Sequence, residues 1–142
     1  MLIALNQAQI AAEEGEVPTG CVIIDAEGKI IGKAHNGTEG LHDATAHAEM
    51  VALSQAFAAV GNERLTGCTL YVTKEPCPMC AGAIVLARIS RVVWGVSDPK
   101  RGGSSTFDIF RHPGINHHPE MTSGVLEKES LAVLQDFFRA RR

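Results

Sequence analysis

Apolar residues recur near helical spacing at Leu2, Leu5, Ala8, Ala11 and Ala12, and Gly15 stands where a helix over Met1–Glu14 would stop. The pattern then changes. Val17–Asp25 (VPTGCVIID) predicts a strand, Ala26-Glu27-Gly28 a turn, and Lys29–Lys33 the returning arm of a hairpin. Asn36–Thr45 is polar and contains glycine, which predicts a loop. Ala46–Val60, rich in Ala with Met and Leu, predicts a helix. Cys68–Thr73 (CTLYVT) reads as a buried strand, Pro78–Ala87 as a helix with proline in its first turn, and Arg91–Gly95 (RVVWG) as another strand. Ser97–Glu120 reads as loop, with a short helix near Phe107–Phe110. Gly124–Arg142 is a terminal helix with Leu131, Leu134, Phe137 and Phe138 as its apolar face.

Strands alternate with helices, so the expected fold class is α/β: a three-layer α/β/α sandwich around a mixed sheet. No repeat, low-complexity tract or linker interrupts the pattern. At 142 residues the chain has the usual length of one domain, so residues 1–142 are expected to form a single domain.

Composition narrows the function classes. Apolar residues make up 45% and charged residues 20%, ordinary values for a globular protein, and no apolar run approaches the ~18 residues of a membrane span. Met1 leads straight into the helical pattern without a basic stretch and apolar block, so no secretory signal is expected and the expected location is cytoplasmic. The net charge is −3 and the pI about 6.0, unlike a typical nucleic-acid binder. The charge is uneven: residues 1–50 carry eight carboxylates against two lysines, while residues 97–142 carry seven basic side chains against six acidic ones, with His112, His117 and His118 besides. A polyanion would meet the second half first.

There are four cysteines. Cys21 and Cys68 fall in apolar strand patterns and read as buried filler. Cys77 and Cys80 differ: they are three apart, so on a helix they share a face, and in a first turn the free N–H groups and dipole favour thiolates. Thiolates bind zinc. His47, opening the preceding helix, can supply a third ligand. Three protein ligands matter, because a structural site is closed by four while a catalytic one keeps a position for water, whose pKa the metal lowers towards ~7. No second CxxC or H-x3-5-H exists here to close the site. Glu49 is the candidate proton carrier. On an ideal helix, positions i and i+2 point about 200° apart, so His47 must lie at the very edge of the helix for both to reach one site. CxxC alone is a weak signal and HxE a weaker one. Together, as His47-Ala48-Glu49 and Pro76-Cys77-Pro78-Met79-Cys80, they form the signature of the zinc deaminases.

Beyond that signature, GEVPTG (15–20), TAHAE (45–49), TLYVT (69–73), EPCPMCAGAI (75–84), ARISRVV (87–93), Asn116-His117 and FFRARR (137–142) resemble bacterial tRNA adenosine deaminases of the TadA type. The resemblance runs from about Leu5 to Arg142, and the segment HPGINHHPE with the final FFRARR points to the tRNA branch. It implies a cytidine-deaminase-like fold, a homodimer, one Zn2+ per chain, and hydrolysis of adenosine to inosine at the wobble position of a tRNA anticodon. It further implies that Asn36 contacts the flipped nucleoside, that Asp98, Lys100, His112 and Asn116 contact the anticodon loop, and that Phe138 and Arg141 belong to the helix closing over it. The chain departs from the family pattern at Ala44, in a loop Arg101–Ser105 one residue short, and at Ser130.

Blander roles stand beside these. Asn36 has a turn-like context; His112, His117 and His118 read as solvated loop residues; Arg139, Arg141 and Arg142 can simply complement a helix C-terminus. One of Phe137 and Phe138 is expected to pack in the core, as is Trp94, and His35 and His42 are expected to be structural. Two other functions fit the same metal motif: a deaminase of free guanine or cytosine, and a binding module with a structural zinc.

Overall fold

Side chains alternate between two faces along every central strand of the sheet, and the two faces are packed differently. The computed structural model describes residues 1–141; Arg142 lies outside the described residues. In chain order the elements are α1 (Leu2–Glu13), β1 (Gly20–Ile24), β2 (Ile30–His35), α2 (Ala48–Val60), β3 (Thr69–Lys74), α3 (Pro78–Leu86), β4 (Arg91–Val96), a 3-10 turn at Ile109–Arg111, β5 (Glu120–Thr122) and α4 (Glu127–Arg139). The five strands form one sheet in the order β2-β1-β3-β4-β5. β1 runs antiparallel to β2 and β3, whereas β3, β4 and β5 are parallel, so the sheet is mixed as expected.

The register pairs Cys21 with Val72 and Val72 with Trp94, placing these residues on one face together with Ile23, Leu70 and Val92. That face packs on α2 and α3 through Leu53, Ile84, Ile89 and Phe110, forming the main apolar core. Full burial of each such side chain contributes about 1.5–3 kcal/mol. Trp94 stacks at a tilt on Phe110, ring centroids 6.5 Å apart. Cys21 and Cys68 are buried, as their context predicts.

The opposite face carries Gly20, Val22, Thr73, Val93 and Gly95 and is covered by α1 and α4. Small residues dominate here: Ala4, Ala8 and Ala11 of α1 are completely or almost completely buried. At Gly20 a Cβ would collide with the Ala4 carbonyl and lie 2.6 Å from the Ala8 nitrogen, so α1 rests directly on the strand backbone. Helices on both faces complete the three layers.

Element ends shift by one to three residues from the pattern reading, α4 for example starting at Glu127 and not Gly124, and three departures have a physical cause. Val17–Thr19 is not strand, because the Thr19 N–H turns back to the Val17 carbonyl (2.9 Å) beside Pro18. The short helix expected at Phe107–Phe110 is the 3-10 turn Ile109–Arg111. Finally, the pattern predicts no strand at β5; its three residues are too few to show periodicity and become strand only by pairing with β4.

The sheet brings one set of ends together. The C-termini of β2, β3 and β4, the start of β1, and the N-termini of α2 and α3 all lie at the same side of the molecule, the usual place for a ligand in an open α/β sheet. Among the described residues no helix is long and apolar enough to cross a membrane.

Candidate active site

At that end lies a cavity of about 400 Å³, lined by residues at or just beyond the ends of these elements. His47 is the N-cap of α2, with extended backbone (φ −67°, ψ 153°), and Glu49 lies in the first turn of that helix. Cys77 is likewise the N-cap of α3, in extended conformation, with Pro78 at the first helical position and Cys80 in the first turn. Both helices thus begin at the site, and the free N–H groups of α3 favour thiolates there.

Sequence spacing is converted here into a cluster. His47 Nδ1 lies 3.5 Å from the Cys77 sulfur and 3.4 Å from the Cys80 sulfur. All three potential ligand atoms lie within 4.8 Å of one another. A tetrahedron with zinc–nitrogen and zinc–sulfur bonds of normal length has a nitrogen–sulfur edge of ~3.6 Å, so these distances fit a zinc-sized cation. Protonation points the same way. A hydrogen bond from the Cys80 thiol, helped by His47, lowers the Cys77 pKa to about 4 against the cost of burial. The same contact, with burial, pushes the Cys80 thiol up. The hydrogen bond to Cys77 also raises His47 above its ordinary value. A soft cation would replace the shared protons and satisfy all three donors at once.

Glu49 is 3% exposed, and among the described residues its Oε1 has no hydrogen-bond partner. Burial raises its carboxyl above the usual glutamate range. An orphaned carboxylate oxygen on a cavity wall costs free energy unless something else occupies the cavity, so this group is placed for a ligand rather than for the core.

Of the other residues that the sequence singles out, Asn36, Asp98 and Phe138 line the cavity. Asn36 follows β2 and is buried, its N–H bonded to the Thr19 carbonyl. Asp98 is occupied by its own loop: Oδ1 accepts the N–H groups of Lys100 and Arg101 (3.0 and 3.1 Å), and Oδ2 lies 3.4 Å from Lys74 Nζ. Phe138 lies at the edge of the cavity, 46% exposed, with its ring edge-on to Phe137.

Lys100, His112, Asn116 and Arg141 lie outside the cavity. Lys100 and His112 are exposed on the loops beyond β4, and His112 Nδ1 accepts the Gly114 N–H. Asn116 Oδ1 accepts a hydrogen bond from Arg88 Nη1 (2.8 Å). Arg141 donates to the Gly15 carbonyl (2.8 Å) and covers the Phe137 ring at 4.2 Å, which latches the end of α4 to the segment after α1. His117 departs from its solvated reading: it is partly buried and donates to the Ile89 carbonyl (2.6 Å), while His118 is exposed as expected, with Nδ1 donating to the Phe110 carbonyl (2.8 Å).

Pattern reasoning missed Lys74, Arg101 and Thr38, all of which line the cavity, and two buried carboxylates, Glu16 and Glu75. Glu16 accepts the N–H groups of Glu39 and Gly40 and holds the loop after Asn36. Glu75 gathers the loop after β4. The available signal was an acidic residue set directly against an apolar strand and the Pro-Cys pair.

Three comparisons bear on this site. The family model of the MafB19-like deaminases matches residues 1–142. The tRNA-specific adenosine deaminase of Bacillus subtilis is 49% identical over 98% of this chain and 86% of its own length, and that of Agrobacterium fabrum 46% identical over 100% and 93%. A chain solved in a study of A-to-I editing by tRNA:A34 deaminases at the wobble position of transfer RNA superimposes with a TM-score of 0.91 at 45% identity, covering 94% of this chain and 97% of that one.

Proposed function

The chain belongs to the MafB19-like deaminase family and, within it, to the tRNA-specific adenosine deaminases, and from that premise we propose that it hydrolyses adenosine to inosine at the wobble position of a tRNA anticodon. The observation that carries the reading is the Oε1 of buried Glu49, unpaired among the described residues, on the wall of a cavity that His47 and Cys77 also line, with Cys80 clustered behind them.

His47, Cys77 and Cys80 would hold one Zn2+ per chain. Bound there, the metal supplies an activated water as nucleophile at neutral pH. Glu49 Oε1 would take one proton from the attacking water and pass it to the adenine ring nitrogen, then take the proton of the new C6 hydroxyl and pass it to the departing amino group, so that adenosine and water become inosine and ammonia. Its raised pKa suits a group that must both accept and donate near neutrality. A base inside a stacked strand cannot reach a cavity of this depth, so the target nucleotide is flipped out of a single-stranded loop. Asn36 and Thr38 offer polar contacts to it, and Phe138 an aromatic face.

Contacts further along the anticodon loop fall to Lys100, His112 and Asn116 on the exposed loops beyond β4. Residues 1–142 act as one domain in this reading. A homodimer is part of it, supported by exposed apolar side chains such as Leu86 on α3 and Phe107. The cytoplasm, where tRNA is processed, is the proposed location.

Incubating the protein with total bacterial tRNA, and separately with free adenine, guanine and cytosine, tests the reading by mass spectrometry. Inosine in tRNA with the free bases untouched is the expected result. Conversion of guanine or cytosine, with tRNA unchanged, would replace it by a free-base deaminase.

A further inference from the structure

We propose that Glu75 is a positioning residue for the RNA: its buried carboxylate gathers the loop Asp98–Ser105 and thereby holds Arg101 at the cavity mouth, where the guanidinium grips a backbone phosphate. The inference rests on the tRNA reading above.

Glu75 directly follows β3 and is 4% exposed. Its carboxylate accepts four hydrogen bonds, all from that loop: the Asp98 N–H (2.9 Å) and the Ser105 hydroxyl (2.6 Å) on Oε1, and the N–H groups of Ser104 (3.0 Å) and Ser105 (2.8 Å) on Oε2. Hydrogen bonds to an ionised acceptor are the strong kind, and four of them on one side chain define the path of a segment that has no helix or strand of its own. The loop backbone wraps the carboxylate closely. A Cβ on Gly102 would run into Glu75 Oε2, and one on Gly103 would lie 2.6 Å from the Ala81 methyl of α3.

This clamp has a consequence at the cavity. Asp98, fixed by its own N–H, accepts the N–H of Arg101 and pairs with Lys74. Lys74 is thereby spent on Asp98, whereas the exposed Arg101 lines the cavity and takes part in no ion pair among the described residues. The wall also carries Glu49, Glu75 and Asp98, and the chain as a whole is acidic, so a polyanion needs a placed cation to enter. A guanidinium fork matches a phosphate better than an ammonium does.

The test is a double-mutant cycle on the zinc-loaded enzyme, with tRNA as substrate and with zinc content and melting temperature measured alongside. Arg101→Ala should raise the KM for tRNA about tenfold, the scale of one hydrogen bond to a charged group. It should also flatten the dependence of log KM on log salt by about 0.7, the loss of one phosphate contact to a single strand. Glu75→Gln should reproduce both changes, with kcat affected less than KM, and the double variant should be no worse than the worse single one. Ser105→Ala, which deletes the shortest bond from an exposed residue, should shift KM in the same direction with zinc retained, and it replaces Glu75→Gln in the cycle if that variant does not fold. Additive effects, or a fall in melting temperature with KM and salt slope unchanged, would show Glu75 to be structural only. Absence of inosine with the unsubstituted enzyme would instead remove the tRNA reading itself.

Discussion

His47 is the N-cap of α2 with extended backbone and Glu49 lies in the first turn of that helix, so two side chains separated by one residue both line the same cavity. Within a continuous helix they would point about 200° apart. The change of backbone at the cap is therefore what lets the histidine reach the cysteines while the glutamate stays beside them. It also separates their surroundings: His47 Nδ1 faces sulfur, whereas Glu49 Oε1 has no partner among the described residues.

Purified protein should contain one zinc per chain. Cys77→Ala/Cys80→Ala should contain none and melt at a lower temperature, because a metal that binds only the folded chain stabilises it. Elemental analysis finding unchanged zinc in the double variant would overturn the ligand set.

Glu49→Ala should fold and keep its zinc yet lose turnover. General acid–base groups contribute about 10²–10⁴-fold, and one residue serving several proton transfers puts the loss at the upper end. Loss of metal together with activity would make Glu49 a ligand and not a proton carrier.

The end of α4 should divide into two functions. Phe138→Ala should raise the KM for tRNA about 5- to 150-fold, matching the roughly 1–3 kcal/mol of a base–aromatic contact, while melting stays near that of the parent. Arg141→Ala should do the reverse, lowering the melting temperature by loosening α4 from Gly15, with a smaller change in KM. Equal effects of both on KM would return Arg141 to the RNA surface. Removal of Phe138–Arg142 combines the two and should leave the zinc in place.

Glu16 gives a pH-dependent signature. The Gly40 N–H, with that of Glu39, holds its carboxyl below the ordinary glutamate value of 4.5 in the folded chain. A folded pKa below the unfolded one stabilises the fold above the unfolded value, and the contribution is lost as pH falls through the folded value. Glu16→Gln should therefore be less stable than the parent at pH 7, with the gap closing as pH drops below 4.5. Urea midpoints that differ equally at pH 7 and pH 3 would contradict this.

The chain's chemistry was legible because it is local. His47-Ala48-Glu49 and Cys77-Pro78-Met79-Cys80 each occupy a single helix start, where the spacing of a few residues already dictates which side chains meet. The α/β class and the mixed sheet followed from alternating patterns in long elements. β5 escaped because three residues carry no period and acquire their structure only from β4.

The rest belongs to the tertiary structure. Asn36, Glu75, Arg101 and Phe138 come from four separated segments, and only the strand order β2-β1-β3-β4-β5 brings their ends to one cavity. Two similar arginines show the difference. Arg101 stands at the mouth because Glu75, 26 positions earlier, fixes its loop, whereas Arg141 is turned away by a hydrogen bond to Gly15, 126 positions earlier. Neither bond leaves a periodic trace in the chain. Sequence alone thus singled out the proposed ligand set and the proposed proton carrier, while the long-range hydrogen bonds that fold the loops decided which polar side chains face the cavity.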